Sequence, residues 1–340
     1  MKRHEARERS RRAFYRRRRR EAAGAALMVL LFAGVAALGT NAVEILGVNS
    51  DAPTPEAIAA ALADRGGWCN PDIAHWFADY CDVVMRAVGD RVYCTAPINE
   101  PWCVAWLSHF MGLHAPGLRD IRAAARAMHH VCLAHGQAIQ AMRALGVRNL
   151  GCVTNHEYVA PFDDSPEAAA AARLYDGIYN RWFLGAFRNG EYPADVLEGL
   201  APYLPEGWQD DMDVIAQPVD WLGLNYYTRK LIAPGPSGLW GDLRDLAGDL
   251  PQTTMGWEVY PEGLHHFLTQ VHAEYGRGLP IYVTENGMSA DDVLTNGAVD
   301  DQERIDYLNA HFAAARRAIA EGVPLKGFFC LLYTSDAADE

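Results

Sequence analysis

The sequence has no GxGxxG run and no GxxxxGK[ST] loop. A doubly wound sheet with a nucleotide on its first turn is therefore unsupported. Its seven cysteines (Cys69, Cys81, Cys94, Cys103, Cys132, Cys152 and Cys330) include no CxxC and no Cys/His pairing at zinc spacing, which argues against the common zinc modules. An odd, dispersed set reads as reduced, buried thiols of a cytoplasmic protein. Positive charge is scarce beyond the first twenty residues, and the chain carries a net charge of −13. So acidic a body excludes non-specific nucleic-acid binding.

The two ends differ from the middle. Residues 1–60 hold the arginine run Arg16 to Arg20 and then Ala22 to Gly39, a stretch without charge. They read either as a basic segment with a signal-anchor, or as sequence foreign to the domain. The second reading is favoured: an anchor would place the body outside the cell, which suits unpaired cysteines poorly. A membrane partner, and a membrane-anchored location, are expected only if residues 22–39 are a real anchor. Residues 330–340 form a small, acidic, patternless tail.

Within the 340 residues, the body from 61 to 329 alternates helix and strand. Asn70-Pro71 starts a helix with Ile73, Phe77, Tyr80, Val84 and Ala87 on one face. Arg91 to Ile98 is expected as a strand. A long helix follows from Leu118 to Leu145, then a strand over Val147 to Val153. Ser165-Pro166-Glu167 opens the next helix. Val219 to Tyr227 and Pro280 to Glu285 are strands, with a helix between Tyr260 and Tyr275. Asp301 to Glu321 is an amphipathic helix with Ile305, Leu308, Phe312 and Ile319 expected inward. Pro324 to Phe329 begins a last strand. This alternation implies a parallel sheet. Polar residues at the C-terminal ends of several strands fit an α/β (β/α)8 TIM barrel.

Two of those ends carry a lone glutamate beside an asparagine: Asn99-Glu100-Pro101 and Thr284-Glu285-Asn286-Gly287. Two carboxylates on separate strands are what glycoside cleavage needs. By themselves the motifs are weak, because Glu before Asn-Gly often marks a turn. His129, His130 and His135 share a helix, but they read as core or solvated histidines rather than metal ligands, since no Cys or carboxylate partner recurs at a matching position.

With its neighbours, the pair resembles the β-glucosidase family of retaining enzymes, glycoside hydrolase family 1. Gly66-Gly67-Trp68, Trp76 to Tyr80, His114-Ala115-Pro116-Gly117, Arg181-Trp182-Phe183, Gly190 to Pro193, Asp220 to Thr228 and Met255 to Leu264 are similar to family segments in the same order. The resemblance implies a partial barrel, roughly strands 4 to 7 and the start of 8. It implies Glu100 as general acid/base, Glu285 as nucleophile, and Asn99, Asn225 and Tyr227 as substrate-site residues. The Tyr227 hydroxyl would hold the Glu285 carboxylate. The implied substrate is a small β-glycoside, with no cofactor and no metal.

The family's earlier units, with a Gln and a His-Trp pair, are not found before residue 61. Cys330-Leu331-Leu332-Tyr333 stands where the family continues with Trp and then Asn-Phe-Glu-Trp. The expectation is a fragment of the barrel whose own activity is doubtful. The rival readings are a non-catalytic fragment and a membrane-anchored sugar-binding module on a degenerate barrel.

Overall fold

The computed structural model describes residues 55–334, apart from 241, 296 and 332. The arginine run, residues 22–39 and the end of the tail lie outside the described residues. Among the described residues no helix is long and apolar enough to cross a membrane. The chain divides into two compact units.

The first unit comprises residues up to Tyr93, Pro97–Val147 and Leu200–Ile215, and its described part is helical. α1 (Pro55–Asp64) leads through a turn to α2 (Ile73–Val88). The helix begins after Asp72 rather than at Asn70, because Asn70 Oδ1 accepts from Asp72 N and holds a turn first. Ile73, Phe77 and Cys81 bury its inner face against α3 (Ile121–Ala144). α3 is capped by Asp120, whose side chain accepts from Arg122 N. Fifteen of its residues are buried, a wider face than the stripe of Met128, Cys132, Ile139 and Met142 suggests. Gly136 lets Val214 approach closely, for a Cβ there would lie 2.0 Å from the Val214 carbonyl oxygen. His129 Nε2 lies 3.0 Å from Asp211 Oδ2, and His130 Nδ1 lies 2.8 Å from the Trp68 carbonyl. These histidines are core groups with polar partners.

The second unit comprises Cys94–Ala96, Arg148–Gly199 and the chain from Ala216 onward. Its sheet holds β1 (Gly151–Pro161), β2 (Trp221–Leu239), β3 (Leu243–Leu246), β4 (Ile281–Asn286) and, later in the chain, the strand Leu325–Cys330. β1, β2, β4 and Leu325–Cys330 are parallel neighbours in that order, and β3 pairs antiparallel with β2. β5 (Ser289–Ala290) precedes β6 (Leu325–Cys330), and β7 (Tyr333–Thr334) pairs with β5. Sequential parallel strands joined by helices are the arrangement of consecutive strands of a (β/α)8 barrel.

The expected strand at Arg91 to Ile98 is corrected to a single bridge, Thr95 to Leu150. Thr95 N donates to the Asn149 carbonyl and Gly151 N to the Thr95 carbonyl. Pro97 then offers no N–H to continue the ladder.

α4 (Pro166–Asp176) is capped by Ser165, which accepts from Ala168 N, as the Ser-Pro-Glu signature predicts. One π-type turn, Gly177–Arg181, joins it to α5 (Trp182–Asn189). Trp182 is fully buried there and stacks on Tyr192 at 3.9 Å. α6 (Ala194–Leu200) and α7 (Pro261–Val271) follow, and α7 packs on α8 (Gln302–Ala320).

The face of α8 is a correction. Ile305, Phe312 and Ile319 are 48%, 40% and 49% exposed, while Arg304, Tyr307, His311, Ala314, Ala315 and Ala318 are buried. Two of the buried polar groups have partners outside α8: Arg304 meets Asp292 and Asp301, and the Tyr307 hydroxyl is reached by Asn286 Nδ2 at 3.0 Å. His311 bonds the Tyr307 carbonyl one turn back.

Candidate active site

In the second unit, register brings Asn155 level with two predicted positions, Asn225 and Glu285. Asn155 on β1 pairs with Asn225 on β2, and Asn225 pairs with Glu285 on β4; the ladder shifts at the second pairing, and the β1–β2 ladder shifts just beyond the first, after His156. Such irregularities re-aim side chains at strand ends. Gly223 makes the close approach possible, since a Cβ there would meet Val153 Cγ2 at 2.7 Å and Thr284 Cγ2 at 2.9 Å.

The Tyr227 hydroxyl donates to Glu285 Oε2 at 2.6 Å, a short, charge-assisted bond when the carboxylate is ionised. The ring of Tyr227 leans on Trp257 with centroids 5.4 Å apart. Tyr226, the intervening residue, points the other way: it is fully buried and donates to the Tyr260 carbonyl at 2.6 Å. Burial pushes its phenol well above the ordinary range. Gly263 leaves room for that hydroxyl, as a Cβ there would lie 2.0 Å from it.

Asn225 is fully buried, and its Oδ1 accepts from Thr284 Oγ1 at 2.5 Å. That bond sets the amide with its oxygen toward Thr284, leaving Nδ2 as the donating end. Asn286 is also fully buried; its Nδ2 donates to the Tyr226 carbonyl at 2.7 Å and to the Tyr307 hydroxyl at 3.0 Å. It ties the strand that carries Glu285 to its neighbour and to α8.

A brace holds the segment before α7. Arg229 Nε donates to Glu258 Oε2 at 2.6 Å, and Glu258 Oε1 accepts from Leu250 N at 3.0 Å. The guanidinium also lies over the Tyr260 ring at 5.1 Å.

The first unit carries Asn99 and Glu100, and they are described there by themselves. Glu100 has φ 50, a left-handed conformation uncommon for a residue with a side chain and at odds with the extended bias before Pro101. Strain of that kind clusters at functional positions. Its carbonyl accepts from Cys103 N at 2.9 Å, and Cys103 Sγ donates to Glu100 Oε2 at 3.2 Å.

Sequence reasoning missed Thr284, Cys103, Arg229, Glu258 and Glu157. Cys103 carried a signal, standing three residues past Glu100 at a helix start. Glu157, on β1, accepts from the Tyr175 hydroxyl at 2.9 Å. Burial raises its carboxyl, opposed by Lys230 and by that hydrogen bond. Among the described residues no group of three or more His, Cys, Asp or Glu side chains is arranged to hold a metal.

A family model described as "Glycosyl hydrolase family 1" matches residues 57–335. A curated relative, "Beta-glucosidase A" of Thermotoga maritima, is 43% identical over 272 residues, covering 79% of this chain and 60% of that protein. "Beta-glucosidase" of an Agrobacterium species is 37% identical over 282 residues, covering 79% and 59%. A solved structure, "Family 1 b-glucosidase from Thermotoga maritima in complex with isofagomine lactam", superposes with a TM-score of 0.76 at 43% identity, covering 80% of this chain and 62% of that one. The chain thus spans about three-fifths of the length of the relatives it matches.

Proposed function

The chain belongs to glycosyl hydrolase family 1, and from that membership we propose that it is a retaining β-glycosidase acting on small β-glucosides. Glu285 attacks the anomeric carbon while Glu100 protonates the departing oxygen, giving a covalent glycosyl-enzyme. Glu100, now ionised, takes a proton from the water that releases the sugar. This order requires Glu285 ionised and Glu100 protonated at the start, with their carboxyl groups roughly 5 Å apart. Asn99 holds the sugar 2-hydroxyl, and Asn225 and Tyr227 flank the site. Residues 61–329 carry this chemistry.

The observation that supports the reading best is the Tyr227 hydroxyl on Glu285 Oε2 at 2.6 Å. It orients a carboxylate that must be anionic to attack. The named ligand of the Thermotoga maritima structure, isofagomine lactam, is sugar-like and supports a small glycoside as substrate. Seven cysteines outside any disulfide support a reducing, cytoplasmic setting.

The test is hydrolysis of an aryl β-glucoside by the 340-residue chain beside Glu285→Gln, with the first-formed sugar read by proton NMR. Turnover lost in the variant, with β-glucose appearing first, is the expected result. α-Glucose appearing first overturns the retaining mechanism, and no turnover by folded protein overturns activity for this chain.

A further inference from the structure

We propose that Cys103 is a positioning residue for Glu100, its thiol donating to the carboxylate and holding it for the base step of the reaction. The proposal rests on the role of Glu100 given above.

Three observations converge. The Cys103 Sγ to Glu100 Oε2 distance is 3.2 Å, within reach of an S–H donor. The backbone fixes the geometry: the Glu100 carbonyl accepts from both Cys103 N and Val104 N, at 2.9 and 3.3 Å. Glu100 itself is held at φ 50 ahead of Pro101. A chain that accepts this strain has its side-chain direction set by its surroundings, and the thiol three residues on is one of the groups that meet it. Both residues are half-buried, so the bond is weakened less by water than on an open surface.

A thiol donates more strongly to an ionised carboxylate than to a neutral acid. The contact therefore favours the form of Glu100 that accepts a proton from water. Losing it should slow release of the sugar more than its attachment.

The first measurement is steady-state hydrolysis of 2,4-dinitrophenyl β-glucoside. That leaving group departs without acid assistance, so sugar release governs kcat. Cys103→Ala is expected to lower kcat about fivefold, the size of one weak hydrogen bond to a charged group. KM should fall with it as the covalent intermediate accumulates. Cys103→Ser, which keeps a donor, should recover the rate. Azide should also rescue Cys103→Ala, because an anionic nucleophile needs no base. An unchanged kcat overturns the proposal, as does a loss that neither serine nor azide relieves, which would mark a packing role.

The second measurement needs no turnover. Iodoacetamide labelling of Cys103 in the full chain is followed by peptide mass in wild type and in Glu100→Gln. Removing the neighbouring anion should speed labelling several-fold, and equal rates overturn the contact. If wild type hydrolyses nothing, the glycosidase reading falls while this comparison still judges Cys103.

Discussion

The Tyr227 hydroxyl and the Glu285 carboxylate, 58 residues apart in sequence, lie 2.6 Å apart on two adjacent parallel strands. The bond orients the carboxylate.

Tyr227→Phe keeps the ring against Trp257 and removes only the hydroxyl. A hydrogen bond to a charged group contributes about 1.5–3 kcal/mol. The expected loss is on the order of tenfold to a hundredfold in kcat/KM for an aryl β-glucoside. Urea denaturation should show little change, separating chemistry from folding.

Asn286→Ala tests the tie between β4, β2 and α8. It leaves the Tyr226 carbonyl and the Tyr307 hydroxyl without their shared donor in a dry interior. Such a loss costs about 1–3 kcal/mol, to be read as a lower urea midpoint. Tyr307→Phe, which removes one of the two bonds, should cost less.

Arg229→Met leaves Glu258 as a buried carboxylate, its side chain 7% exposed. Breaking such a pair from one side costs about 3–5 kcal/mol. The double variant Arg229→Met with Glu258→Met should recover much of the loss, because no charge remains unpaired. A double-mutant cycle by denaturation checks both outcomes.

Stability should fall on acidification below about pH 6.5. Burial lowers His311 and His130 to about 4, and His135 and His156 to about 3. These groups are neutral in the folded chain where the unfolded chain already binds protons. The unfolded state therefore gains protons first as pH drops from 6.5 toward 4, and folding free energy is lost across that window. Glu157, raised by burial, acts in the opposite sense above the usual carboxylate range. The urea midpoint at pH 7 and pH 5 measures the slope, and His311→Phe should flatten it.

The sequence by itself determined what rests on neighbours in the chain. The Ser165 cap, the length of α3, the helix at Pro261–Val271 and the strand holding Glu285 follow from capping, periodicity and short apolar runs. So did the Tyr227–Glu285 bond, through the ordered motifs that carry the family resemblance. Tertiary structure decided what rests on remote partners. The strand before Glu100 shrank to isolated bridge positions at Thr95 and Asn99, on either side of Pro97, which cannot donate to a ladder. α8 turned Arg304 and Tyr307 inward because Asp292 and Asn286 offer them hydrogen bonds, and His311 turned inward on the same face, bonded to the Tyr307 carbonyl one turn back, so Ile305, Phe312 and Ile319 stayed exposed. Hydrophobic period assigns a face only when the polar residues between have no buried partner. The Cys103–Glu100 contact depended on a strained φ that no pattern of residue types announces.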